Sequence, residues 1–200
     1  VVTNGACTPG VSAGAVLTVN TFPVITAAPQ NVTICEGSNA AFTVTATTGV
    51  GVLSYQWQVS TDGGVTYTNI AGATTSSFAQ TAIPVGQNGY RFSVIVTAGC
   101  GSVTSSAAIL TVNPFPVISF TLPAVICLTD PSITLTATPG GGTFSGPGVA
   151  VGSFNPSVAG VGNKTIQYTT TVAGCAATLS KSILVNECSE RHLTLEQFPA

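Results

Sequence analysis

The chain has 200 residues, of which 44% are hydrophobic and 5% are charged, and its net charge is −2 at neutral pH. Soluble domains carry about 25% charged residues, so hydroxyl groups and small side chains must form most of this surface. Four Lys and Arg residues are too few for the basic surfaces that bind nucleic acid or anionic lipid. No apolar run reaches the roughly 18 residues of a membrane helix. We therefore expect no nucleic-acid partner and no membrane span.

Apolar and polar side chains alternate with a period of two along the chain, which is the pattern of half-buried strands. Turn signals rich in Gly, Asn, Asp and Pro separate the alternating stretches, and no helical stripe of useful length occurs. The pattern predicts a β-sandwich. In chain order, the alternating stretches are 42–47, 55–60, 90–97, 132–135 and 166–169, and the turn signals are 62–64, 87–89, 139–142 and 146–148.

An internal repeat sets the domain organisation. LTVNTFPVIT at 17–26 recurs as LTVNPFPVIS at 110–119, and in both copies a Cys lies 16 residues before the Pro of the Phe-Pro pair. Ala-Gly-Cys followed by Ile-Leu-Val-Asn forms a third copy near the end of the chain. Tandem modules follow from such repeats. We expect the last two strands of an incomplete module at 1–21, complete modules at 22–114 and 115–186, and a tail at 187–200.

Two segments resemble immunoglobulin-like repeats of bacterial surface proteins. YQWQVSTDGG at 55–64 resembles strand C and its turn, so Trp57 corresponds to the core tryptophan, and Tyr90 lies near a tyrosine-corner position. GGGTFSGPGV at 140–149 and FNP at 154–156 resemble PKD-like or Ig-like repeats of exported adhesins from gliding and biofilm-forming bacteria, which often use the type IX route. The resemblance implies an all-β fold of tandem immunoglobulin-like β-sandwiches, with Trp57 and Tyr90 in the core.

The six cysteines lack zinc-type spacing and His partners, which favours disulfides and an oxidising, extracellular setting. In the topology that the resemblance implies, Cys35 and Cys100 lie at opposite poles of one module, roughly 23 Å apart for a strand of about seven residues. A disulfide requires about 4.4–6.8 Å between Cα atoms. We therefore expect Cys35 to pair with Cys175 across the module junction. The remaining cysteines would then pair with segments or subunits outside this chain: Cys7, Cys100, Cys127 and Cys188.

The alternative is one disulfide within each module. Cys35 would then pair with Cys100, and Cys127 with Cys175, which leaves Cys7 and Cys188 over. The sequence leaves both arrangements open.

The sequence offers no catalytic, metal-binding or cofactor-binding set. His192 is the single histidine and stands in the tail, without a second ligand or a Gly-x-Ser-x-Gly elbow. Glu36, Asp62 and Asp130 are isolated acids beside turns, so neither a glycosidase pair nor a calcium cluster is indicated. The glycines at 140–142 lack a following Lys and helix and are best explained as a turn. We expect no enzyme and no cofactor.

The expected function is structural. The resemblance implies a rod, stalk or filament segment of an adhesin outside the cell, with other copies or neighbouring modules, and surface glycans, as partners. The sequence begins without Met or an apolar leader, so an export signal is expected upstream or already removed. The alternative is a carbohydrate-binding accessory module of a secreted enzyme. That alternative predicts an exposed row of aromatic side chains on one sheet face, for which Tyr55 and Tyr67 are the candidates.

Overall fold

A computed structural model of the protein describes residues 5, 13–17, 21–49 and 51–188. Strands β1 to β19 make up nearly all of the regular structure in this part of the chain, with one 3₁₀ turn at Val85–Gln87 and one short helix, α1, at Pro156–Ala159. The strands are Val24–Ala27, Val32–Cys35, Ala40–Thr43, Thr45–Thr47, Ser54–Ser60, Thr68–Asn69, Ser77–Gln80, Arg91–Ala98, Gly101–Thr104, Ala108–Asn113, Ser119–Phe120, Val125–Cys127, Ile133–Thr134, Ala137–Thr138, Thr143–Ser145, Val149–Ala150, Ser153–Phe154, Gly162–Val172 and Cys175–Asn186.

The strands β1 to β10 form two facing layers. One layer has the order β2-β10-β8-β5-β6, with β9 beside β8, and β10 runs parallel to β2. In the other layer β1 pairs with β4 and β3 pairs with β7. Val44 separates β3 from β4 and donates its backbone N–H to the carbonyl of Ser76, so the two short strands form one interrupted strand. The apolar faces of the two layers pack against each other and form one core.

The core between these layers is built around Trp57 on β5. Its indole is fully buried, with ring centroids 6.4 Å from Phe42 and 6.1 Å from Phe78. Its Nε1–H donates to the carbonyl of Thr75 at 2.9 Å, so the one polar atom of the indole has a partner, as a buried Trp requires. Tyr90 is partly buried and packs against the same cluster.

The strands β11 to β19 repeat the arrangement with shorter elements. One layer has the order β12-β19-β18-β15, again with a parallel pair, β12 and β19. The other contains β11 with β14 and β13 with β17 and β16. A second buried cluster lies between them, and Phe154, Ile166 and Ile183 are fully buried in it. The two clusters share no residue, so each half of the chain has its own interior.

Tyr168 fastens one end of the second sandwich. Its ring is buried and its hydroxyl donates to the carbonyl of Pro139 at 2.8 Å, while it accepts the backbone N–H of Gly142 at 2.8 Å. Gly142 has no room for a side chain, because a Cβ there would lie 2.6 Å from the Tyr168 ring. The glycine run at 140–142 is thus a turn that lets the backbone approach a tyrosine.

Much of segment 1–21, where the sequence predicts two strands, lies outside the described residues. Those described, Gly5, 13–17 and Thr21, are exposed and not in strands, including Val16 and Leu17. The tail is described as far as Cys188, so His192 lies outside the described residues as well. No helix in the described ranges has the length and apolar character needed to cross a bilayer.

Replacing Trp57 tests the first core. We expect Trp57→Ala to lower the free energy of unfolding of this module by about 3–5 kcal/mol, because the substitution removes a fully buried aromatic side chain and leaves a cavity. Urea unfolding followed by far-UV circular dichroism measures the change. Val52→Ala is the control, since Val52 is 88% exposed, and we expect a change within about 0.5 kcal/mol. A loss below about 1 kcal/mol for Trp57→Ala would contradict this core.

Candidate functional site at the junction of the modules

Two parallel strands of the first module end side by side. The ladder between β2 and β10 finishes with Cys35 opposite Asn113. The next residue, Glu36, donates its backbone N–H to the carbonyl of Asn113 at 2.9 Å. This bond ties the chain leaving β2 to the end of β10. Cys35 is therefore held at one pole of the module by backbone pairing, beside the point where the chain passes into the second module.

The hairpin β18–β19 of the second module presents its turn to this pole. Val172 pairs with Cys175, which leaves a two-residue turn of Ala173 and Gly174 with φ of 50° and 83°. Positive φ at both central positions is the property of a type I′ turn, which matches the twist of a hairpin. Ala173 is strained in this conformation, because its Cβ disfavours positive φ. Cys175 begins β19 and is buried.

Covalent and polar contacts join the two modules at this point. Cys35 and Cys175 form a disulfide with their Cα atoms 5.6 Å apart, inside the range that a disulfide allows. The side-chain Nδ2 of Asn113 donates to the carbonyl of Ala173 at 2.8 Å. A disulfide beside a hydrogen bond restrains both the separation and the rotation of the two poles. The strained alanine is the residue whose carbonyl accepts this bond.

Of the two arrangements that the sequence left open for Cys35, the structure has the pairing across the junction. The pairing within modules, Cys35 with Cys100 and Cys127 with Cys175, is not the arrangement found. The reason is the direction of the strands. Strand β8 runs away from the Asn113 pole before it reaches Cys100, whereas the β18–β19 turn points at that pole.

The expectation that Cys127 and Cys188 pair outside this chain is wrong in the structure, where they bond to each other. Their Cα atoms are 5.2 Å apart. Cys127 ends β12 opposite Asn186, the last residue of β19, as Cys35 ends β2 opposite Asn113. The chain reaches Cys188 two residues after Asn186, so it remains within bonding distance of the neighbouring strand end. Cys188 therefore bonds to Cys127 at the end of its own module, whereas Cys175 bonds to Cys35 across the junction.

The repeated Ala-Gly-Cys signature takes two different positions in the hairpins. Ala98 pairs with Gly101, so Gly99 and Cys100 form the turn between β8 and β9, and Cys100 is exposed. In the second module the cysteine has moved out of the turn into the strand, where it is buried. Cys7, the cysteine of the first copy, lies outside the described residues. The pairing expected for Cys7 and Cys100 stays a prediction.

Asp62 accepts several hydrogen bonds from its own turn, and its role is structural. It lies in the turn after β5 and accepts hydrogen bonds from the Thr66 hydroxyl and backbone, the Ser60 hydroxyl and the Val65 backbone. The Thr66 side chain first, and then the other donors, lower the pKa of the Asp62 carboxyl well below its ordinary value. A carboxylate that is charged and accepts several hydrogen bonds in this way stabilises the turn.

Two observations describe the metal-binding potential and the cleft of the described ranges. No group of three His, Cys, Asp or Glu residues capable of holding a metal ion occurs among them. An open cleft of about 210 Å³ lies at the edge of the first sandwich, and its lining contains no ionisable acid or base other than a tyrosine. The side-chain oxygen of Gln87 is buried beside this cleft and has no hydrogen-bond partner in the described structure. The cleft is lined by Val59, Ile70, Phe78, Gln80, Gln87, Tyr90 and Phe92.

The aromatic candidates for a sugar-binding face do not form a row. Tyr55 and Tyr67 are half-buried, and Tyr55 packs against the core of the first module. The exposed aromatic side chains among the large hydrophobic residues described are Phe22 and Phe115, which belong to the Phe-Pro pairs at the start of each module. The Phe22 ring lies against Gly101, the first residue of β9, and both Phe-Pro pairs precede the first strand of a module.

The chain is similar to a family model and to several solved structures. A family model described as a domain of unknown function (DUF8696) matches residues 24–114. No curated protein matches the sequence. Among solved structures, the titin domains Z1Z2 in complex with telethonin are 18% identical, cover 87% of this chain and 100% of their own, and have a TM-score of 0.37.

Two further structures are similar to this chain to a comparable degree. The titin I-band fragment I67–I69 is 15% identical over 86% of this chain and 67% of its own, with a TM-score of 0.47. The four N-terminal Ig domains of Dscam1 isoform 6.9 are 14% identical over 85% of this chain and 47% of their own, with a TM-score of 0.46. The class of the fold follows from the strand order of the chain itself.

That strand order defines the class. Each module has one layer that contains a parallel pair formed by its second and last strands, and a facing antiparallel layer that contains its first, third and fourth strands. This is an immunoglobulin-like β-sandwich, and the all-β fold of tandem sandwiches predicted from the sequence is confirmed.

Tryptic digestion without reduction distinguishes the disulfide arrangements. The four Lys and Arg residues give large fragments, and Cys7→Ser removes one cysteine from the first. We expect fragment 1–91 to be linked to 165–181 through Cys35 and Cys175, and 92–164 to 182–191 through Cys127 and Cys188. Mass spectrometry reads the linked pairs. A product that joins 1–91 directly to 92–164 would contradict the junction disulfide.

The Asp62 turn gives a pH prediction. Folding lowers the pKa of the Asp62 carboxyl below its ordinary value of 3.8. The charged carboxylate therefore stabilises the folded state at a pH above 3.8, and this stabilisation is lost as the pH falls through the lowered pKa. Carboxyl ¹³C NMR should show Asp62 titrating below 3.8, and Thr66→Val should raise its midpoint by removing the main donor. A midpoint at or above 3.8 in the unmodified protein would count against the turn geometry.

Proposed function

We propose that the chain is a non-enzymatic structural segment of an extracellular rod or stalk, built from immunoglobulin-like modules stacked end to end. The observation that carries the proposal is the junction, where Cys35 and Cys175 form a disulfide and Asn113 and Ala173 a hydrogen bond. A linker that only connects two domains needs neither contact. A segment that must hold a fixed angle between its modules needs a restraint on both distance and rotation.

The disulfides support an oxidising compartment. Cys35–Cys175 and Cys127–Cys188 are both formed within the chain, and structural disulfides persist outside the cytosol. With 5% charged residues, the protein depends on hydroxyl groups for a hydrated surface. We propose that it is displayed at the cell surface, with other copies or neighbouring modules as partners.

The finer assignment rests on the sequence resemblance. The Trp57 segment and the Gly-rich segment at 140–149 resemble repeats of bacterial adhesins, so we propose an adhesin of that kind, exported by the type IX route. A carbohydrate-binding module is not proposed, because the exposed Phe22 and Phe115 stand at the module starts and no aromatic row covers a described sheet face. Surface glycans remain a proposed contact of the whole adhesin and not of a defined pocket.

Small-angle X-ray scattering tests whether the junction fixes the angle between modules. We expect the unmodified chain to fit one elongated arrangement. The double variant Cys35→Ser/Cys175→Ser should fit only a broad set of angles, since one hydrogen bond and a short linker remain. The variant Cys127→Ser/Cys188→Ser is the matched control, because it removes a disulfide inside one module, and its scattering should follow the unmodified chain. A broad set of angles for the unmodified chain would contradict a stiff segment.

Electron microscopy of native material tests the location. Antibody raised against the chain should label rods or fibres that project from intact cells. Uniform helical fibres would identify a filament, and separate rods a stalk. Label confined to the cell interior would refute the proposed function.

A further inference from the structure

We propose that the junction disulfide makes the segment inextensible, because it removes nearly all of both modules from the covalent path along which tension travels. A biological need for this property rests on the proposed function as a rod or stalk. The covalent path itself does not, since it follows from the connectivity of Cys35 and Cys175.

The path is found by following bonds from one end of the segment to the other. Tension entering at residue 22 passes along β1 and β2 to Cys35. The disulfide then carries it to Cys175, 140 positions further along the sequence, and β19 carries it to Asn186. Residues 36–174 lie in a closed loop beside this route. Unfolding them releases no length, because the two ends of the loop are already bonded.

The short route has almost no slack of its own. It consists of residues 22–35 and the 12-residue strand β19. A strand already rises about 3.3 Å per residue, close to the limit of about 3.3–3.6 Å for an extended chain. Pulling β1, β2 and β19 straight therefore adds little length. Two strands of the route also pair in parallel with a neighbouring strand: β2 pairs with β10, and β19 pairs with β12.

The second disulfide has a different consequence. Cys127 and Cys188 enclose 61 positions, so this bond alone would keep the second module out of the path and leave the first exposed to tension. With the junction disulfide present, the route reaches Cys188 along β19 and does not pass through Cys127. The Cys127–Cys188 bond therefore adds nothing to inextensibility while the junction bond is intact. The two disulfides are thus predicted to be unequal under force.

Removing each disulfide gives a distinct length. Without Cys35–Cys175, the route follows the chain for 92 residues from Cys35 to Cys127 and then crosses the second disulfide to Cys188. The 13 residues from Cys175 to Cys188 are then no longer part of the route. The net gain is about 80 residues, or roughly 260–290 Å at full extension. Without either disulfide the gain is about 140 residues, or roughly 460–500 Å. Without Cys127–Cys188 alone the gain is zero.

Single-molecule force spectroscopy of the full chain, held at its two termini, measures these lengths. All chains carry Cys7→Ser and Cys100→Ser, so that only the two disulfides contribute. Four forms are compared: the chain with both disulfides, Cys35→Ser/Cys175→Ser, Cys127→Ser/Cys188→Ser, and the form with all four replaced. The final contour length depends on the bonds and not on whether a variant is folded before the pull.

We expect residues 22–188 to release no length in the chain with both disulfides or in Cys127→Ser/Cys188→Ser. Cys35→Ser/Cys175→Ser should be longer by about 80 residues, and the form with all four replaced by about 140. The inference is overturned if residues 22–188 lengthen in the chain with both disulfides, if Cys127→Ser/Cys188→Ser is longer than that chain, or if Cys35→Ser/Cys175→Ser is not. Such a result would not contradict a stiff rod observed by X-ray scattering. Conversely, a broad set of module angles in scattering would refute the proposed rod but would leave the expected contour lengths unchanged.

Discussion

The two-residue period of the side chains is the constraint on which the whole structure depends. Each strand places its apolar residues on one face, and each sheet must cover that face with another sheet. Trp57 in the first module and Ile166 in the second are buried in this way within separate clusters. Because each module satisfies its own apolar faces, only the poles remain for contact between modules. A disulfide and a hydrogen bond suffice to join poles whose interiors are already complete.

The junction shows how strand direction decides chemistry. The ends of β2 and β10 meet at one pole, and the turn of β18–β19 arrives there from the other module. The bonded cysteines are 140 positions apart in sequence and 5.6 Å apart between Cα atoms. Ala173 has a strained backbone with positive φ, and its carbonyl accepts the hydrogen bond from Asn113. The two modules are therefore joined at their poles, by a disulfide and a hydrogen bond, and not through their sheet faces.

The alternation predicted the strands around Trp57 and Ile166, because burial on one face requires it. The sequence did not predict that Cys127 bonds to Cys188, since no periodic pattern describes the chain after Asn186. Nor did the repeat reveal that Cys100 stands in a turn while Cys175 begins a strand. A shift of one residue in the hairpin register decides whether the cysteine sulfur is exposed or buried. The identical Ala-Gly-Cys sequence of the two hairpins does not determine that register. The interruption of β3 and β4 at Val44 was likewise not visible in the alternation.

The contact between the modules joins unlike surfaces, a strand end on one module and a hairpin turn on the next. A contact of this heterologous kind has no twofold symmetry and does not close on itself. A series of such contacts has a direction, with the hairpin turns all facing the same way. Two neighbouring segments would therefore lie parallel or antiparallel as distinguishable arrangements, and a surface built from them would have polarity from base to tip.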